Sequence, residues 1–211
     1  MNDPEKVRLR LSPPERRDRI IASAKTVLAK GGLRGFGLAA VAREAGIAIG
    51  LIGHYFGGID GLVRAMLASV VANRQDRKHH TSHTLPDAIA ALTAIVERNF
   101  DPQYYSRDNL LVWLPIYELS MHDADMRDSV GKVDQQDVVE LQEVLTSLVT
   151  HLGLSADPAD MAQLFFALLD GMWLRWCYSG RDGYDEEKLR AIRFLEDRIG
   201  PFYPTTGHRA G

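Results

Sequence analysis

Two sets of residues in this chain have types and spacings suited to chemistry. The first lies in Leu38-Ala39-Ala40-Val41-Ala42-Arg43-Glu44-Ala45-Gly46-Ile47-Ala48-Ile49-Gly50-Leu51-Ile52-Gly53-His54-Tyr55-Phe56. Two short helical patterns meet at a glycine, the signature of a helix-turn-helix. Ala42 is small where the second helix must cross close above it. Gly46 stands where the turn needs a positive φ. Val41, Ala45, Ile47 and Ile52 are apolar where the angle between the helices is buried. In such a unit the second helix enters the major groove, with its N-terminal residues toward base edges. Ala48 and Ile49 would open that helix, Gly50 and Gly53 would let its backbone approach the duplex, and His54 and Tyr55 would donate to phosphates. Leu38 opens the first helix of the pair, and Arg16, Arg17 and Arg43 lie on neighbouring helices where they would neutralise backbone charge. An ordinary helical hairpin inside a larger bundle is the alternative. The second set is aromatic. Trp113 and Tyr117 are four apart, Trp173 and Trp176 three apart, and each pair shares a helix face. Tyr104, Tyr105, Phe165 and Phe166 add rings, and Glu118 and Asp170 add carboxylates nearby in sequence. Ring faces with a carboxylate suit a quaternary ammonium, which has no hydrogen to donate and relies on ring quadrupoles. The same stripe also reads as plain core.

The elements that must position these residues are helices. Ser12-Pro13-Pro14-Glu15 combines an N-cap, a first-turn proline and the third-position glutamate of a capping box. Ile20, Ile21, Ala24, Val27 and Leu28 continue it at helical spacing, and Gly31-Gly32 is expected to stop it. The pattern predicts short helices over about 38–45 and 49–55 and a longer one from about Ile59. Further helices are expected over about 85–100, 106–121, 124–152, 158–179 and 184–199. Pro115 either kinks the helix that holds Trp113 or sits in its first turn, with the start near Leu114. No period-2 strand run, internal repeat or low-complexity tract is present. The expectation is an all-α chain of about nine helices. Residues 1–11 form a flexible arm, residues 12–58 a helix-turn-helix domain and residues 59–204 a ligand-binding and dimerisation domain.

Composition agrees with a globular chain. Its 211 residues are 45% hydrophobic and 25% charged, and Cys177 is the one cysteine. No intrachain disulfide can form, no signal peptide is evident, and no run reaches the length of a membrane span, so the expected place is the cytoplasm. The net charge of −3 conceals an asymmetry: residues 1–60 hold ten Lys/Arg against six Asp/Glu (+4), and the remainder fifteen against twenty-two (−7). A basic head on an acidic body favours an anionic partner for the head alone. No phosphate loop, HExxH or nucleophile elbow appears, so no catalytic residue, metal or cofactor is expected and the chain does not read as an enzyme. The pair His79/His83, with His80, reads as a solvated face, because no further ligand completes a metal site.

The motifs Ile20-Ile21-Ala22-Ser23-Ala24, Gly31-Gly32-Leu33, Val41-Ala42-Arg43-Glu44-Ala45-Gly46-Ile47, Gly50-Leu51-Ile52-Gly53-His54-Tyr55-Phe56 and Asp60-Gly61-Leu62 resemble the DNA-binding head of the TetR family. The body motifs Trp113-Leu114, Ser120-Met121-His122 and Asp170-Gly171-Met172-Trp173-Leu174-Arg175, with Ser179-Gly180, are similar to the BetI-like branch, regulators of choline-to-betaine metabolism. The resemblance covers about residues 15–200. It implies a homodimeric repressor that binds a palindromic operator, pairs through its last two helices (about 156–180 and 184–200), and is released by a small effector, a quaternary ammonium in that branch. Three positions depart from the family pattern. Leu38 and Ala48 replace hydroxyl residues, and Ile59 replaces a lysine that meets a phosphate, which would lower the salt slope by about one unit. A helical ligand-binding or interaction protein that has lost specific DNA binding is the alternative these changes raise.

Overall fold

The computed structural model describes residues 12–75 and 84–204. The arm at 1–11 and the histidines at 79, 80 and 83 lie outside them. Nine helices and no strand occur among the described residues: α1 Pro13–Gly35, α2 Leu38–Ala45, α3 Ile49–Phe56, α4 Ile59–Gln75, α5 Leu85–Asn99, α6 Arg107–His122, α7 Ala124–Leu152, α8 Pro158–Ser179 and α9 Asp185–Ile199.

Their ends follow local chemistry. Ser12 and Glu15 form the expected reciprocal capping box, with the Ser12 amide donating to Glu15 Oε2 at 2.7 Å. Gly32 breaks α1 at φ 58°, and a last turn resumes to Gly35. Gly46 and Gly57 close α2 and α3 in the left-handed region. Asp157 caps α8 by accepting from the amides of Ala159 and Asp160. The open question at Pro115 is settled by Ser106, whose hydroxyl accepts from the Asn109 amide and starts α6 at Arg107. The proline is therefore an interior residue, not a first-turn one. It leaves the carbonyl four residues before it without its usual helical donor.

Packing divides into two cores. One gathers α5, α7, α8 and α9 around Leu92, Ile95, Leu141, Leu145, Phe165 and Leu195. The other gathers α1 to α4 with α6 and the start of α7, around Ile20, Leu28, Val41, Ile52, Leu62, Met66 and Ile116. The helix α7 serves both: Met126, Val130 and Val133 enter the second core, Val138, Leu141 and Val144 the first. Trp173 of α8 packs against both as well. No single helix among the described residues is long and apolar enough to cross a membrane. The bent pair α3–α4 is apolar enough in sum, but Ile52, Leu62 and Met66 are fully buried in the second core.

Candidate DNA interface and effector cavity

At the head, α3 leans across α2 as the glycine turn requires. The Ile47 amide donates to the Ala42 carbonyl at 3.0 Å, and Gly46 takes φ 67°. Ile52 is fully buried, which fixes the opposite face of α3 outward: Ile49, Gly50, Gly53 and His54 are exposed. Ala48 occupies the N-cap position, and no side chain caps the helix. Arg43 is exposed on α2, Arg17 is exposed on α1 with its guanidinium 5.3 Å from the centre of the Phe56 ring, and Arg16 is half-buried. Leu38 and Tyr55 are half-buried, with part of each side chain packed on the head core. Arg19, which sequence reasoning did not single out, has its guanidinium beside Gly46. Its signal was position, two residues beyond Arg17 on the same exposed stretch.

Gly61 carries a different constraint. A Cβ there would lie 1.7 Å from the Phe56 carbonyl oxygen. The start of α4 is thus pressed onto the end of α3, and only a hydrogen fits between them.

The body holds a cavity of about 300 Å³ where the two cores meet, at the lower end of the range for ligand sites. Tyr104, Trp113, Tyr117, Phe166, Asp170 and Trp173 all line it. Trp113 and Tyr117 stack with centroids 5.3 Å apart and planes at 26°. Trp173 Nε1 donates to the Ser106 carbonyl at 3.1 Å, which ties α8 to the cap of α6. The expectation for Glu118 needs correction. It lies off the cavity wall, its side chain is 71% exposed, and it meets His122 Nε2 at 3.9 Å. The reason is helical geometry, since Glu118 follows Tyr117 by one residue and so points about 100° away from it.

The carboxylates that accompany Asp170 come instead from α7: Asp134 and Asp137 both line the cavity. They are three apart and flank the buried stripe between Val133 and Val138, at the point where α7 passes from one core to the other. That carboxylate pair beside an apolar stripe was the available signal. Asn99, Asn109 and Gln163 add neutral polar groups. Three carboxylates and a set of ring faces make a wall that favours a small organic cation. Tyr105, also on this wall, is buried, and burial raises its phenol well above the usual range, so it stays neutral at physiological pH.

The cavity and the head share structure. Trp113 lines the cavity and also belongs to the head core. With Tyr104 and Asn109 it further lines a recess that reaches Lys25 of α1. Burial lowers the ammonium pKa of Lys25, and its Nζ lies 3.2 Å from Ser69 Oγ.

A second link is ionic. Arg64 of α4 holds Asp123 with both nitrogens of its fork, one pair at 3.0 Å. Asp123 ends α6 and caps α7, accepting from the Met126 amide at 2.8 Å. The Arg64 guanidinium, with help from that amide, lowers the Asp123 carboxyl to about 2. A carboxyl whose folded pKa is depressed contributes stability above its unfolded value, and loses it as pH falls through the folded one. Here that window runs from about pH 4 down to about pH 2. Asp123→Asn should therefore unfold at a lower temperature than the parent at pH 7, with the gap closing by pH 2. Melting curves across that range test it, and a gap that persists at pH 2 would exclude the ion pair as its cause.

Comparison with known proteins adds the following. Residues 20–66 match the model for bacterial regulatory proteins of the tetR family, and residues 88–199 that for the C-terminal domain of BetI-type transcriptional repressors. The transcriptional regulator BetI of Klebsiella pneumoniae is 31% identical over 174 residues, 80% of this chain and 85% of that protein. The BetI of Vibrio vulnificus is 28% identical over 192 residues, covering 89% and 94%. Among solved structures, a transcriptional regulator from Pseudomonas aeruginosa superimposes with a TM-score of 0.71 at 22% identity, covering 89% of this chain and 92% of that one. A regulator from Saccharomonospora viridis, solved in complex with choline, gives 0.70 at 22% identity, covering 88% and 98%.

Proposed function

Since the chain belongs to the TetR family and carries a BetI-type C-terminal domain, which makes it a transcriptional regulator and not an enzyme, we propose that it is a repressor of the following kind. It holds a palindromic operator as a homodimer and lets go when a small quaternary-ammonium compound enters the cavity. The observation that carries the effector class is the cavity wall, where Trp113, Tyr117, Phe166 and Trp173 stand with Asp134, Asp137 and Asp170. The choline complex of the Saccharomonospora viridis regulator supports the same class. Residues 12–58 would read DNA and residues 59–204 would bind the effector and the second copy, with α4 completing the head core through Leu62 and Met66. Release requires that the cation prefer one spacing of the two heads, because a ligand that binds both forms equally shifts nothing. Trp113 and the Arg64–Asp123 pair are the links through which that preference would reach the head.

The test is operator selection from random duplexes, followed by titration of choline into the protein–DNA complex. Enrichment of a palindrome, with choline lowering affinity for it, supports the whole reading. An operator that choline and its oxidised relatives leave unaffected would sink the effector class alone. Folded dimer that enriches no sequence would favour the alternative, a ligand-binding protein whose head has lost its operator. That outcome would point to the uncapped α3 and to Ile59 as the reason.

We place the dimer contact on α8 and α9. Leu164, Leu174 and Tyr178 of α8 and Leu189 of α9 are exposed. On α8 the spacing 164, 171, 174, 178 puts them on one face around Gly171. Gly171 is exposed, and an added Cβ would meet no atom of its own protomer within 4 Å. Gly171→Arg should therefore leave the monomer folded, because removing a mid-helix glycine favours the helix by up to about 1 kcal/mol. It should block the close approach of a second α8 and abolish operator binding. Sedimentation at micromolar concentration checks this, and a variant that stays dimeric would move the interface elsewhere.

A further inference from the structure

The outward face of α3 has an unusual composition for a helix that reads bases. Its exposed residues are Ile49, Gly50, Gly53 and His54. Polar base readout uses Arg, Lys, Asn, Gln, Glu, Asp, Ser or Thr on base edges, and the first turn of α3 exposes none of these. His54, the only one of the four with a hydrogen-bonding side chain, stands in the last turn. The N-cap position, where a hydroxyl could reach the duplex, holds Ala48. Ile49 is the one side chain with reach at the end of the helix that faces bases, and it is 52% exposed although nothing polar accompanies it. The two glycines are not there for the fold. Each takes part in an ordinary helix, and an added Cβ at either would meet nothing within 4 Å. Each nonetheless weakens the helix relative to alanine. They leave the backbone bare on one side of the ridge that Ile49 makes, about 100° and 40° around the helix from it.

We propose that Ile49 selects the operator by packing on thymine methyl groups, the one apolar feature that a base pair shows in the major groove. The inference rests on the reading that α3 enters that groove. Sequence choice would then come from methyl contacts and from how closely the glycine-bare helix can approach, with His54 and the arginines of α1 and α2 holding phosphates. The selected half-site should contain one or two thymines whose methyls are indispensable, flanked by positions of weak preference.

Deoxyuridine tests this without changing any hydrogen bond, since it is thymine without the methyl. Full-length wild-type protein is used to select an operator, and each thymine of the winning site is then replaced in turn by deoxyuridine. One or two replacements per half-site should lower affinity about threefold to tenfold, the worth of one to two buried methyl contacts. Ile49→Ala should weaken binding to the thymine operator by a similar factor and bind the thymine and deoxyuridine operators equally. Selection of a site whose deoxyuridine versions all bind like the original overturns the role of Ile49 and leaves the placement of α3 intact. Failure to select any site overturns the operator reading itself and this inference with it. The deoxyuridine substitutions use unaltered protein, so they test the methyl contacts whether or not the Ile49→Ala variant folds.

Discussion

Trp173→Ala should lower affinity for choline at least tenfold and also lower the stability of the protein by about 3 kcal/mol. Cation–π contacts in desolvated sites contribute up to about 2 kcal/mol, more than a factor of ten in binding. Truncating a packed tryptophan costs about 3–5 kcal/mol, and Trp173, being only half-buried, belongs at the lower end. Both losses come from one ring because it lines the cavity, packs on both cores and donates to the Ser106 carbonyl that begins α6. Trp173→Phe separates them, since it keeps a ring face but removes the hydrogen bond. It should retain most of the affinity with a smaller loss of stability. Calorimetric titration with choline, beside thermal melts with and without it, reads both quantities. Full affinity in a destabilised Trp173→Ala variant would make the ring core only and remove it from the effector wall.

Gly61→Ala should abolish operator binding and destabilise the head, although it adds a single methyl. That carbon would sit 1.7 Å from the Phe56 carbonyl, less than half an ordinary contact, and its neighbour is backbone that cannot rotate away. Overpacking of a core side chain costs about 1–3 kcal/mol, and a clash with backbone belongs at the top of that range or above. Relief requires α3 and α4 to part, which tilts the outward face of α3. Gly50→Ala is the contrast, because nothing lies within 4 Å of its added carbon. It should keep full stability and change only DNA affinity. A Gly61→Ala protein that melts and binds like the parent would show that α4 shifts at little cost.

Much of the fold was legible because caps and glycines mark helix ends locally. The end of α2 follows from Gly46, and the start of α1 from Ser12 and Glu15. Pro115 was ambiguous because a proline reports only a missing donor. The deciding residue was Ser106, nine positions earlier. The cavity was legible in its rings, whose i, i+4 spacing survives folding. Its carboxylates were not. Glu118 is next to Tyr117 in sequence, but on a helix the next residue turns about 100° away. Asp134 and Asp137 reach the cavity only because α7 runs past α6 and α8, a tertiary fact with no local trace beyond the edge of an apolar stripe. Leu38 and Tyr55, which helix position offers to DNA, also pack in part on the head core, a contact that position alone does not report.

The second core has a consequence for how such regulators diversify. Ile20, Val41 and Ile52 share it with Val112, Trp113, Ile116 and Val133, which come from far along the chain. A chimera made by grafting this head onto a foreign body after residue 58 would strand those partners and expose an apolar seam. The transplantable unit is larger than the DNA-reading helices. It includes α4, the middle of α6 and the first turns of α7. A lineage can revise its operator cheaply by altering the outward side of α3, which this seam does not touch. An effector held in the ring-lined cavity would be harder to exchange, because Trp113 and Trp173, which line it, also pack in the cores that hold the two halves together.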